Sequence, residues 1–303
     1  GQIKEEDLVL VSEKAWRKGG SKMFIEVGNQ VKVIDLLRGI IIQSGNDASI
    51  AMAEHIAGSE EAFADLMNSH ARRLGMDNTH FENSTGWPAE GHLSTARDMA
   101  TMAKAIIRDD PEHYKIYKEK EFVWNGIRQP NRNLMLWRDS TVDGLKTGHT
   151  EEAGYCLVAS AERDGMRLVS VVMGTSSEQA RAAETQKMLT WGFRFFETKT
   201  FYEPGQVLSQ ARVWAGVENE VALGLADGLV MTMPKGQAEK LEAGITMNST
   251  IKAPITAGDV LGQVEVKLGE EVLHSAPLVA LADVEQAGLF GRLWDNIRLF
   301  FYG

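Results

Sequence analysis

The chain has 303 residues, enough for one large domain and a smaller one. Its hydrophobic share of 44% and charged share of 24% are those of a globular protein and exclude a disordered tail. A net charge of -10 with no dense Lys/Arg stretch excludes a nucleic-acid partner, and the single cysteine, Cys156, excludes an intrachain disulfide and a Cys-based metal site.

The opening, Gly1-Gln2-Ile3-Lys4, carries neither a start methionine nor a basic-then-apolar signal segment, so the chain reads as entered part-way through a domain. Residues 34–43 form a helix-like apolar run reaching Ser44, and helical spacing resumes from Ala48 through Ile56. Gly58 stops that helix and Ser59 caps another, whose apolar face is assigned to Phe63, Leu66 and Met67, with Gly75 as its C-terminal cap. A helix start follows over Ser94–Asp98, with Met99, Met102, Ala103, Ile106 and Ile107 as its buried stripe. Residues 122–127 read as a strand and tight turn. Residues 154–160 and 168–173 read as two strands joined across the hairpin signal Asp164-Gly165. A helix covers Ser177 to Phe196. After about Thr200 the texture turns to short alternating runs between Gly, Pro and Asp, the pattern of a small all-β domain. Residues 288–303 are helical again, with Phe290, Leu293, Trp294, Ile297 and Phe301 on one side and Arg292, Asp295, Asn296 and Arg298 off it. That is the pattern of an in-plane membrane anchor; a helix docked on the β domain is the other reading.

Two short motifs carry chemistry. Ser44-Gly45-Asn46 offers a hydroxyl that can relay a proton and an amide that can hold a substrate carbonyl, although Ser and Asn also serve as helix caps. Lys146-Thr147-Gly148-His149-Thr150 offers a cation to stabilise negative charge, hydroxyls for a carboxylate, and a glycine that lets a ligand approach a strand backbone. A strand-entry turn would use similar residues. The two motifs stand in the order expected of serine acyl transfer.

With these motifs, Gln43–Ala48, Ser94–Met99, Tyr117–Phe122, Arg128–Asn133 and Leu189–Thr198 make the chain resemble, over essentially its whole length, a low-molecular-mass penicillin-binding protein. The type is a serine D-Ala-D-Ala carboxypeptidase of the Gram-negative kind. The resemblance implies an α/β (α+β) penicillin-binding, serine β-lactamase-like transpeptidase domain over 1–199, incomplete at its N-terminus. A small β-rich domain over 200–284 and an amphipathic anchor helix over 285–303 follow. It implies Ser44, Asn46 and Lys146 as catalytic residues. Lys146, Thr147, Gly148, His149, Thr150, Arg132 and Arg181 are implied to bind substrate, with His149 beside the oxyanion hole. For each arginine a structural ion pair is the competing reading. No cofactor or metal is implied. The implied partners are a peptidoglycan stem peptide ending in D-Ala-D-Ala, β-lactams and a membrane surface. The implied location is the periplasm, peripheral on the inner membrane.

The family acylates a serine in a Ser-x-x-Lys motif, expected here roughly 15 to 20 residues upstream of Gly1. The expectation is therefore that this chain alone lacks the nucleophile and is inactive. The one Ser-x-x-Lys present, Ser249-Thr250-Ile251-Lys252, falls after Lys146-Thr147-Gly148, in the β domain, with Ala253-Pro254 directly behind it, and is set aside. Ala15–Phe24 is several residues shorter than the family's loop near the cleft. A non-catalytic peptidoglycan-binding protein and, less favoured, a serine β-lactamase are the alternatives; the β domain and the tail weigh against the latter.

Overall fold

The computed structural model describes residues 3–302, and all their side chains except those at 296 and 299–302. The chain divides into two compact units, Gly1–Arg194 and Phe195–Gly303.

The first unit opens with a two-stranded ladder, β1 (Leu8–Leu10) against β2 (Gln30–Lys32), with α1 (Glu13–Arg17) between them. Helix α2 (Val33–Gln43) then buries Val33, Leu36, Ile41 and Ile42. Its mid-helix glycine, Gly39, is a costly choice in a helix. The reason is contact: a Cβ there would overlap the Met23 side chain, so only glycine lets Met23 seat against α2. Helix α3 (Asn46–Ala57) follows after two residues and buries Ala48, Ile50, Ala51 and Ala53. These faces meet Val9, Val11, Met23 and Ile25 in one core.

Helix α4 (Glu60–Arg73) starts at Ser59, whose hydroxyl accepts from the Ala62 N–H. Its buried positions are Glu60, Ala64, Asn68 and Ala71, not the Phe63–Leu66–Met67 face read from the sequence; Leu66 is 39% exposed. Asn68 decides the facing. Its amide gives to and takes from the backbone of Phe81 at 2.8 Å each, and this two-way bond turns the helix toward the 79–93 segment. Helix α5 (Ala96–Asp109) is capped by Thr95 and packs Ile106 and Ile107 near Tyr114 and Leu145. The short α6 (Pro111–Tyr114) follows. Next come the hairpin β3 (Glu121–Trp124) and β4 (Ile127–Pro130), and α7 (Met135–Arg138).

The site-bearing sheet is antiparallel, in the order β5 (Val142–Thr150), β6 (Gly154–Arg163), β7 (Met166–Thr175). Asp164 and Gly165, at φ 49° and 76°, make the β6–β7 turn that their identities predict. Lys146–Gly148 lies inside β5, the edge strand, with β6 as the strand-like run that follows it. Helix α8 (Glu178–Phe195) ends the unit.

The second unit is all-β apart from its last helix. Strands β8 (Phe196–Tyr202) and β11 (Leu229–Pro234) pair as a ribbon. A six-stranded sheet runs β12 (Leu241–Met247), β14 (Val260–Leu268), β15 (Glu271–Ala280), β10 (Glu220–Gly224), β9 (Val207–Trp214), β13 (Ile251–Lys252). Val213, Leu223, Val264, Val266 and Leu278 fill its core. Helix α9 (Leu289–Tyr302) closes the chain.

Candidate active site

A cleft of about 1000 Å³ in the first unit is lined by both motifs. Ser44 sits where α2 ends. Its backbone is left-handed, φ 61° and ψ 39°, a place glycine normally takes. A non-glycine residue there costs on the order of 1 kcal/mol, and such positions gather at functional sites. The turn lets Gly45 and Asn46 start α3 at once, so the Ser44 hydroxyl and the Asn46 amide share one short corner between two helices.

Lys146 reaches that corner from β5. Its Nζ donates to the Ser44 hydroxyl and, at 3.1 Å, to the Thr147 carbonyl. Burial first, then the nearby positive charges of Arg132 and Arg181, push the Lys146 ammonium down to about 7. It can therefore hold or release a proton near neutral pH, and its direct partner is a hydroxyl.

Arg132 lies between β4 and α7, and its Nη1 donates to the Ser21 hydroxyl at 2.8 Å. Among the described residues it pairs with no carboxylate, so the ion-pair reading does not hold for it. Arg181, on α8, is 2% exposed. It donates to the carbonyls of Gly148 (3.4 Å) and Arg132 (3.2 Å) and meets Glu178 at 3.5 Å. Burial lowers its affinity for a proton. Arg181 thus buttresses β5 from behind the Gly148 backbone.

Further along β5, the His149 ring lies on Tyr155 with centroids 3.9 Å apart. The Thr150 hydroxyl accepts the Ala153 N–H at 2.9 Å, leaving its own proton to give. Gly148 pairs with Cys156 on β6 and is exposed. The structure therefore gathers Ser44, Asn46, Lys146, Thr147, Gly148, His149, Thr150, Arg132 and Arg181 around one cleft. Ser249 and Lys252 belong to the second unit. There the short β13 runs beside β9 and supplies no helix start for a nucleophile.

Three contributors were invisible in the sequence. Gly20, Ser21 and Trp87 also line the cleft. The Asn46 amide donates to the Gly19 carbonyl at 2.9 Å and its N–H to the Ser21 carbonyl at 2.8 Å. Asn83 folds the segment bearing Trp87, its side-chain oxygen accepting the N–H groups of Thr85, Gly86 and Trp87. The one hint was the sequence expectation that residues 15–24 form a short loop near the cleft. Among the described residues no His/Cys/Asp/Glu group is arranged to hold a metal.

Comparison with known proteins agrees with this geometry. Residues 1–177 match the family described as D-alanyl-D-alanine carboxypeptidase, and residues 196–286 match the C-terminal domain of penicillin-binding protein 5. The chain is 47% identical to the D-alanyl-D-alanine carboxypeptidase DacC of Escherichia coli (strain K12), over 99% of this chain and 77% of that protein. It is 46% identical to DacA of the same strain, over 100% of this chain and 77% of that protein. Among solved structures, penicillin-binding protein 5 from Haemophilus influenzae matches with a TM-score of 0.84 at 43% identity, covering 94% of this chain and 85% of that one. A sheet-edge Lys-Thr-Gly strand and a Ser-x-Asn corner thus stand in one chain with a domain of the penicillin-binding protein 5 C-terminal type, and the chain belongs to the D-alanyl-D-alanine carboxypeptidase family, serine enzymes that act on peptidoglycan.

Proposed function

We propose that the cleft holds the C-terminal D-Ala-D-Ala of a peptidoglycan stem peptide along the open edge of β5. The observation that carries this reading is the contact between Lys146 and Ser44, made in the partly buried floor beside two guanidinium groups.

A peptide extended beside β5 places its terminal carboxylate among Lys146, Thr147, Thr150 and Arg132, where hydroxyls and cations meet a planar anion. The Asn46 amide, fixed by the Gly19 carbonyl, keeps one N–H for the substrate's backbone carbonyl. The His149 N–H, on the exposed end of β5, faces the oxyanion that forms when the scissile carbonyl is attacked. Lys146 and Ser44 form a proton path: the ammonium gives or takes a proton through the hydroxyl as the D-Ala amine leaves. Arg181 holds the strand on which all this depends. β-Lactams enter by the same contacts, as analogues of the dipeptide.

The same reading divides the chain into a catalytic part to about residue 199, a β-rich part over 200–284 and an anchor over 285–303, working in the periplasm at the inner membrane. No helix among the described residues is long and apolar enough to cross a membrane. What supports an in-plane anchor is the facing of α9 within its own unit. Asp295 accepts the Ala215 N–H at 3.0 Å, while Phe290, Leu293, Trp294 and Ile297 are 88%, 62%, 60% and 45% exposed. Asp295 on the polar side meets protein and these apolar side chains face out, the reverse of a docked helix. Phe301, assigned to the same stripe, lies outside the described side chains.

Labelling of the full-length protein by fluorescent penicillin tests the cleft. Ser44→Ala and Lys146→Ala should each slow acylation by about 100-fold or more. Near-normal labelling of either variant removes the proton path.

A further inference from the structure

Arg132 is the cleft cation with the least obvious support. It lies in an irregular segment, it pairs with no carboxylate among the described residues, and only its backbone carbonyl is held from behind, by Arg181. Its guanidinium is placed by one hydrogen bond, from Nη1 to the Ser21 hydroxyl at 2.8 Å, across 111 residues of sequence.

Ser21 is itself unusually well fixed for a loop residue. Its carbonyl accepts the Asn46 N–H at 2.8 Å. Two and three residues on, the Met23 and Phe24 N–H groups both end on the Asp47 carboxylate at 2.8 Å. Two residues back, the Gly19 carbonyl takes the Asn46 amide. The hydroxyl offered to Arg132 is therefore held by the Ser44–Asn46 corner of the cleft, not by a free loop.

The chemical type of the tether matters. An Asp or Glu in this place would orient the guanidinium equally well but would neutralise it, and a neutralised cation attracts a ligand carboxylate weakly. A hydroxyl oxygen accepts one N–H, adds no charge, and leaves four further N–H donors on the fork.

We propose that Ser21 is a positioning residue for recognition of the substrate's C-terminal carboxylate, holding Arg132 at the cleft through its side chain while its backbone is fixed to Asn46. The proposal rests on Arg132 facing that carboxylate, as above. Because Ser21 acts through Arg132, its loss affects binding of an acid more than turnover, and affects nothing where the ligand has no terminal charge.

The test compares peptides ending in D-Ala-D-Ala as the free acid and as the C-terminal amide, in the full-length protein. Ser21→Ala is expected to raise KM for the acid about 5- to 10-fold, with kcat within about two-fold and the amide unaffected. Ser21→Thr, which keeps the hydroxyl, restores KM. Ser21→Ala on top of Arg132→Ala adds nothing, because both act through one contact. An equal loss for acid and amide, failure of Thr to rescue, or additive effects in the double variant overturns the proposal. If Arg132→Ala fails to separate acid from amide, the carboxylate role of Arg132 falls, and this proposal with it. If Arg132→Ala separates them and Ser21→Ala does not, only the role of Ser21 falls.

Discussion

The carboxylate of Asp47 accepts the N–H of Met23 at 2.8 Å, and the same side chain takes Phe24 at 2.8 Å and Ile25 at 3.2 Å. Asp47 is 1% exposed and follows Asn46 directly in the chain. One buried anion thus fastens the 18–25 loop to the corner that carries Ser44 and Asn46. Several backbone donors satisfy the oxygens of this buried side chain without a cation beside it.

Asp47→Ala orphans four backbone N–H groups together, those of Met23, Phe24, Ile25 and Ala48, and should cost about 3 kcal/mol or more. Asp47→Asn keeps one acceptor oxygen and should fall between. Denaturant unfolding measures both; a loss under about 1 kcal/mol for the alanine variant would show that water or other groups replace the carboxylate without penalty.

Lys146 predicts proton uptake on binding. Its proton affinity is lowered to about 7, so near pH 8 the free cleft holds it mostly neutral. A carboxylate beside it favours the ammonium and raises that value. Binding of a D-Ala-terminated acid should therefore take up a proton above neutrality and take up little near pH 5, where Lys146 is already charged. Calorimetric titration in buffers of different ionisation enthalpy reads this directly. Proton release, or no uptake at any pH, contradicts the assignment.

Gly148 separates folding from recognition. A Cβ added there meets only the Cys156 Cβ, at 3.9 Å, an ordinary contact. Gly148→Ala should fold with a loss under about 1 kcal/mol yet slow penicillin acylation about ten-fold, since the methyl group stands where a ligand meets the strand. Unchanged acylation in a stable variant would mean that ligands do not approach β5 there.

The last helix gives a prediction about lipid. Replacing Phe290, Leu293 and Trp294 by serine leaves Asp295 to hold Ala215 but removes much of the outward apolar face. Both this variant and deletion of 288–303 should stay in the supernatant when spun with anionic vesicles, while the parent protein pellets. Pelleting of the deleted form sinks the anchor.

How much of this was readable beforehand depended on the range of the interaction. The Asp164-Gly165 hairpin, the Ser59 cap and the helix start over Ser94–Asp98 rest on neighbours in sequence and were legible. The facing of α4 was not, because Asn68 finds Phe81 only in the folded unit. Lys146-Thr147-Gly148 was placed on a strand by its motif chemistry and not by pattern, since polar and glycine residues depress the pattern and pairing with β6 supplies what propensity lacks. Ser44 and Lys146 are 102 residues apart and could be associated only through their motifs. Ser21 belongs to no motif, and its partner is 111 residues away. Chemistry carried by residue type was visible, and chemistry carried by placement was not.

An unpaired strand edge is a template for any extended chain, including another copy of itself. The edge of β5 answers this with charge. Burial lowers the Lys146 proton affinity first, and Arg132 and Arg181 stand close enough to lower it further. A second copy of this unit would bring its own Arg132, and below neutrality its own charged Lys146, to the same edge and be repelled. A chain that ends in a carboxylate beside the lysine is drawn in. The positive field that helps to lower the lysine's proton affinity is therefore also a filter: it leaves the sheet open to an anionic terminus and closes it to its own kind.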